Sequence, residues 1–178
     1  IARSGRPGPV LVDIPKDIQA QKIEFKYPEE PVLIPGLPPI QNPEIEDLEK
    51  AAKLIMAAKK PFILAGHGIL ISGASKEVIQ LAELANIPIG WTLLGSGAVP
   101  SSHPLNMGMM GMHGEFSVNN AIQEADLLIA CGMRFDDRVT GNAATYSPNS
   151  KKIHIEVDPS EINKNIKVDL GIIGDLRT

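Results

Sequence analysis

Cysteine is nearly missing from this chain: 178 residues hold one, Cys131. One thiol builds neither a disulfide framework nor a four-cysteine zinc site, and such usage suits a reducing cytoplasm. Aromatic residues make up 4% of the sequence, too few for the stacking platforms that hold single-stranded nucleic acid. A basic excess is lacking too. The formal net charge is −4, whereas a phosphate-backbone face is normally basic, so no nucleic acid partner is expected. No run reaches the roughly 18 apolar residues of a membrane span, and no basic-then-apolar leader opens the chain, so no membrane partner is expected either.

What is present suffices for a packed domain. Hydrophobic residues reach 43%, enough for a core and against disorder. The length fits one ordinary domain with a stub of another. The chain starts at Ile1 in ordinary sequence and stops at GDLRT, where an aspartate after glycine resembles a helix cap. It reads as a piece of something longer.

Residues 6–18, RPGPVLVDIPKDI, predict one apolar strand from Val10 to Ile14 between prolines. We assign residues 1–26 to the end of a preceding domain. Residues 27–43, rich in proline, predict an extended connector, and residues 44–178 the main domain. Asn42-Pro43 reads as a helix start, cap then proline, followed by Ile45, Leu48, Ala52, Ile55 and Lys59 at helical spacing. Further helices are expected over 75–86 and 117–125. Apolar strands are expected at 61–66, 87–92, 126–132, 152–158 and 168–174, with a short helical crossover in PSEINKN.

Short, wholly apolar strands alternating with amphipathic helices predict an α/β fold, doubly wound: a Rossmann-like parallel sheet of about six strands with helices on both faces. In such sheets ligands lie beyond the carboxyl ends of the strands. Glycine recurs there, at Gly66-His67-Gly68, after Thr92, at Gly132 and at Gly174-Asp175. Repetition at several tips suggests a long ligand such as a dinucleotide. The usual fingerprints are missing, however. GHGILISG lacks the third glycine, GMMGMHG follows no predicted strand, and no GK[ST] occurs.

The densest cluster is GMRFDDRVTG, 132–141. Its charges either pair with one another in solvent, for roughly 0–1 kcal/mol per pair, or Arg134 and Arg138 grip a phosphate or carboxylate as planar forks while Asp136 and Asp137 hold them. A paired-carboxylate hydrolase fits less well, because the arginines would keep both acids ionised. Histidines 67, 103, 113 and 154 show no metal-ligand spacing. His67 is the best placed for ligand contact, and His154 reads as packed within a strand. The methionines of NMGMMGMHG either fill core or form a soft wall against a flat ring. Cys131 reads as buried and inert.

These motifs carry a resemblance. GRPGPVLVDIPKD, GMHG at 111–114, ADLLIACGMRFDDRVTG and IHIEVDP…GD resemble the large, catalytic subunit of the acetolactate synthase (acetohydroxyacid synthase) family over essentially the whole chain. The resemblance implies a thiamine-diphosphate enzyme that decarboxylates pyruvate and joins the remaining unit to a second 2-keto acid in branched-chain amino acid synthesis. This chain would be its central, FAD-binding domain, the flavin having no net redox role. Implied FAD contacts are Arg6, Gly66, Gly68, Thr92, Leu93, Met110, Gly111, Met112, His113, Gly132, Arg134, Asp136, Arg138, Val139, Glu156 on the adenosine side, Gly174 and Asp175. Met112, Asp137 and Arg138 also resemble positions lining the substrate channel.

The family's catalytic glutamate belongs upstream. Its diphosphate and Mg²⁺ motif, GDG with a distant asparagine pair, belongs downstream, whereas here GDL closes the chain and Asn119-Asn120 precedes it. The resemblance therefore implies no catalytic residue and no metal ligand within 1–178, and no turnover by this piece alone. It also implies a homodimer or homotetramer of catalytic subunits, with a possible regulatory subunit. The alternative readings are a non-catalytic structural or docking domain, and a glyoxylate carboligase or pyruvate oxidase type of thiamine enzyme.

Overall fold

The computed structural model describes residues 1–27, 29 and 42–178. They fall into two compact units, Ile1–Ile40 and Gln41–Thr178. Most of the expected 27–43 connector lies outside the described residues.

In the first unit the expected strand at 10–14 does not form. The segment makes no ladder among the described residues, and Leu11 and Val12 are 92% and 74% exposed. A strand exists through its neighbours' hydrogen bonds, and apolar sequence alone does not supply them. One turn of helix, α1 (Lys16–Gln19), follows.

The second unit is a six-stranded sheet, wholly parallel, in the order β3-β2-β1-β4-β5-β6. The strands are β1 (Pro61–Ala65), β2 (Ile89–Trp91), β3 (Asn106–Met109), β4 (Leu127–Cys131), β5 (Lys151–Glu156) and β6 (Leu170–Ile173). Side chains alternate between two cores, as the pleat demands. Ile63, Ala65, Ile129, Cys131 and Ile153 face one side, with residues of α2 (Ile45–Ala57), α3 (His67–Ser72) and α4 (Ser75–Ala85). Phe62, Leu64, Leu128 and Ala130 face the other, against Val118 and Ile122 of α5 (Phe116–Glu124). Both faces are covered, so β4 is apolar and buried at every position. The doubly wound α/β expectation holds.

Several boundaries differ from the sequence reading. Helix α2 starts after Glu44, which takes the extended cap conformation, rather than at Asn42-Pro43, and it ends at Ala57, before Lys59. The stretch GHGILISG, to which the sequence reading assigned no element, contains helix α3. The segment leading into GMMG, where no strand was expected, is the edge strand β3, half-buried along its length. PSEINKN supplies one 3-10 turn, Pro159–Glu161, rather than a helical crossover.

Candidate functional site

Because all six strands run one way, their carboxyl ends share one edge of the sheet. The strand order reverses between β1 and β4, the switch point where open sheets place ligands. There Gly66 N–H donates to the Cys131 carbonyl and Gly68 N–H to the Gly132 carbonyl, both at 2.9 Å. A Cβ on Gly68 would stand 2.6 Å from Gly132 Cα, and one on Gly66 would collide with the Gly132 carbonyl. Gly132 itself has φ +58°. These glycines let two strand tips close on one another, a role within the chain that strand-end glycines do not disclose in sequence.

Beyond β2, the Thr92 hydroxyl accepts from Gly95 N–H at 3.2 Å and caps the turn Leu93–Gly95. That turn leaves Leu93 71% exposed and Leu94 64%. His67 Nδ1 lies 2.7 Å from the Leu94 carbonyl, so a protonated nitrogen there ties the β1 and β2 tips together. Beyond β3, Met110 is buried, whereas Met112 and His113 are exposed. Met112 N–H donates to the Arg138 carbonyl at 2.8 Å. Asn119, on α5, grips the peptide of Gly111 from the other side: its Oδ1 accepts from Gly111 N–H and its Nδ2 donates to the Gly111 carbonyl, each at 2.9 Å. This clasp was missed in the sequence. Its only signal there is an amide side chain early in the helix that follows the GMHG loop.

Beyond β4 and the left-handed Gly132, side chains alternate in burial. Met133 and Phe135 are buried, Arg134 is exposed and Asp136 half-buried. Phe135 packs edge-on against buried His154 of β5, ring centres 5.0 Å apart, while His154 Nε2 meets the Met133 carbonyl at 2.8 Å. The inward pair thus anchors the outward one. Asp136 precedes the single turn α6 (Asp137–Thr140). Arg134 and Asp136 stand 3.6 Å apart, Arg138 and Asp137 3.9 Å apart. The second pair is 72% and 77% exposed, so self-pairing contributes roughly 0–1 kcal/mol. Among the described residues Asp136 Oδ1 is buried without a hydrogen-bond partner, an acceptor left open at this tip.

At the β5 tip the buried Glu156 accepts the amide of Val157 at 3.0 Å. Gly174 N–H donates to the Glu156 carbonyl at 3.1 Å, and Asp175 Oδ1 accepts Arg177 N–H at 2.9 Å. Val139 packs against the second core. Every site residue named from the sequence within the second unit therefore falls on this edge; Arg6 belongs to the first unit, where it lies exposed in a bend.

Cys131, wholly buried in β4, has its thiol pushed up to about 12 by desolvation and is inert as expected. Among the described residues no three His, Cys, Asp or Glu side chains come together as a metal site, and no helix is long and apolar enough to cross a membrane. A groove of about 370 Å³ opens at the opposite, amino end of the sheet, between Lys50, Lys53 and Leu54 of α2 and Lys151, Asp169 and Leu170. It is remote from the charged tip.

A family model described as thiamine pyrophosphate enzyme, central domain, matches residues 48–178. The chain is 49% identical over 179 residues to a probable acetolactate synthase large subunit of Methanocaldococcus jannaschii, covering 99% of this chain and 30% of that one. It is 48% identical over 177 residues to the acetolactate synthase large subunit of Corynebacterium glutamicum, covering 99% and 28%. With that of Haemophilus influenzae the identity is 43% over 179 residues, covering 99% and 31%. The chain thus spans about three tenths of the length of these relatives.

Proposed function

As this chain belongs to the family of thiamine pyrophosphate enzyme central domains, we propose that it is the central domain of an acetolactate synthase large subunit and holds FAD along the carboxyl edge of its sheet. The observation that carries the reading is the convergence of six parallel strand tips, with Arg134 and Arg138 exposed beside them.

The residues present fit such a ligand. Exposed guanidinium groups and exposed apolar side chains, Leu93, Leu94 and Met112, share one edge, and an extended dinucleotide offers both a diphosphate and a flat ring. Asp136 presents a buried acceptor without a partner of its own. In this reading Arg134 and Arg138 bind the diphosphate as planar forks, and Met112 with Leu93 forms the wall for the ring. Glu156 accepts ribose hydroxyls. Thr92, Met110, Gly111, His113 and Val139 shape the trough, Gly66, Gly68 and Gly132 set its floor, and Gly174 with Asp175 closes it. Arg6 is assigned to the same ligand by the sequence resemblance alone.

The flavin supplies no net redox chemistry in this assignment; it is a structural occupant. Thiamine diphosphate and Mg²⁺ are held by other parts of the full-length enzyme, consistent with GDL rather than GDG at 174–176. There two 2-keto acids condense with loss of carbon dioxide, in a homo-oligomer of catalytic subunits with a surface for a regulatory subunit. Residues 1–26 close the preceding domain and 27–43 connect it.

Titration of the purified 178-residue chain with FAD tests the reading, followed by flavin fluorescence and by visible absorbance after dialysis. Saturable binding at one flavin per chain is expected, and the chain alone is expected to form no acetolactate from pyruvate. Failure to retain flavin would replace the cofactor assignment with a purely structural or docking domain.

A further inference from the structure

The charged tip and the GMHG loop are joined through one small hub, the peptide of Gly111. On one side Asn119 closes both hydrogen-bonding groups of that residue, Oδ1 accepting its N–H and Nδ2 donating to its carbonyl, each at 2.9 Å. On the other side the helical turn that carries Arg138 presses against it. A Cβ on Gly111 would lie 2.6 Å from the Arg138 carbonyl and 3.2 Å from Val139 Cα. The residue also holds φ +97°, a conformation that L side chains avoid. The next residue continues the connection, Met112 N–H donating to the Arg138 carbonyl at 2.8 Å. One asparagine therefore fixes a glycine, the glycine seats against the Arg138 backbone, and two exposed side chains, Met112 and Arg138, leave this junction toward the same edge.

A side-chain amide is suited to this. It offers one acceptor and two donors in a plane, so it can mimic the partner strand that the Gly111 peptide lacks beyond the end of β3. Its own position is stiff, because α5 is anchored by buried Val118 and Ile122, and the helix backbone bonds Asn119 N–H to the Glu115 carbonyl at 3.0 Å. Glu115 N–H in turn donates to the Met109 carbonyl at 2.8 Å. The loop from Met110 to Gly114 is thus closed at its base by backbone and at its tip by Asn119.

We propose that Asn119 is a positioning residue of the cofactor edge: through the Gly111 peptide it sets the spacing of Met112 from Arg138, and with it the affinity for an extended, anionic, ring-bearing ligand. This rests on the reading of that edge as the FAD site. Asn119 does not itself touch the ligand; it acts by holding the loop that does.

The test uses the 178-residue chain with three variants. Asn119→Ala removes the clasp. Asn119→Asp keeps the acceptor for Gly111 N–H but sets a carboxylate oxygen against the Gly111 carbonyl. Ile122→Val, on the same helix but in the core, imposes a comparable loss of stability without touching the loop. FAD affinity is expected to fall about tenfold in N119A, the scale of one or two lost hydrogen bonds, and to fall in N119D at neutral pH. I122V is expected to stay within about twofold of wild type. N119D should recover as the pH is lowered and its carboxyl gains a proton to donate. Equal affinity in N119A and wild type, or an equal loss in I122V, would overturn the proposal.

Amide hydrogen exchange read by NMR separates this from failure of the FAD reading. In N119A both Gly111 and Met112 amides should lose protection, the second because its bond to Arg138 depends on the first. If wild type binds no flavin, the flavin assignment falls while this readout still decides the relay. A Met112 amide that stays protected in N119A overturns it.

Discussion

His154 and Met133 stand 21 positions apart in sequence, yet the His154 Nε2–H donates to the Met133 carbonyl at 2.8 Å where β4 ends. The imidazole is fully buried, and its Nδ1 has no hydrogen-bond partner. Burial holds its pKa below the ordinary 6.5; the Met133 bond and the charge of Glu161 oppose that shift without cancelling it. This ring fixes the direction in which the charged segment leaves the sheet.

The first prediction concerns pH. The folded pKa of His154 is depressed, so unfolding takes up a proton once the pH falls below the unfolded value. Stability is full above about pH 6.5 and is lost as pH falls from there through the lower folded value. Urea midpoints measured between about pH 8 and about pH 5 should decline in wild type. In His154→Leu that part of the slope should vanish, at a cost of about 1–3 kcal/mol at neutral pH from the unpartnered Met133 carbonyl. An identical slope in the variant would exclude the imidazole as its source.

The second concerns the switch-point glycines. Gly68→Ala forces a methyl to within 2.6 Å of Gly132 Cα, and overpacking of this kind costs about 1–3 kcal/mol. Gly132→Ala meets the same backbone and adds the strain of φ +58°, a further 1–3 kcal/mol or so. Chemical denaturation should rank G132A below G68A, and both below wild type. Gly97, whose added Cβ would meet nothing within 4 Å despite φ +92°, provides the comparison that isolates strain from collision.

Cys131 offers a probe of global opening. With the thiol pushed up to about 12 by burial and the side chain 1% exposed, the thiolate that alkylating reagents attack is scarce and shielded. Labelling by iodoacetamide at neutral pH should follow the unfolding free energy across a urea series. Rapid labelling in buffer alone would show that β4 opens locally.

How much of this was written in the sequence depends on the range of the interactions. Leu127–Cys131 could be recognised because a strand buried on both faces must be apolar at every position. Asn106–Met109 could not: it lies at the sheet edge, is half-buried and carries a glycine at φ +109°, so no periodicity marks it. Val10–Ile14 has strand composition, but no described neighbour completes a ladder. At the site, charge density alone drew attention to Arg134–Arg138. The alternation that buries Phe135 and exposes Arg134 becomes visible only once His154 is seen beneath it. Asn119 was out of reach for the same reason, since its value lies in reaching Gly111 from another element.

The charged tip yields the sharpest separation between stability and binding. Arg138 and Asp137 are 3.9 Å apart and mostly solvated, and Arg134 faces Asp136 at 3.6 Å with 46% of its side chain exposed. Pairs of that kind contribute roughly 0–1 kcal/mol. Arg134→Ala and Arg138→Ala should therefore change the unfolding free energy from urea denaturation little, by about 0.5 kcal/mol or less each. If the forks grip a diphosphate, the same substitutions should weaken FAD about ten- to a hundredfold, the scale of one charge-assisted hydrogen-bonded contact. The wild-type affinity should also fall with added salt more steeply than that of either variant. Variants that lose stability but keep their flavin would instead make the arginines partners of their own aspartates. The densest charge in the sequence would then be a feature of the fold rather than of its ligand.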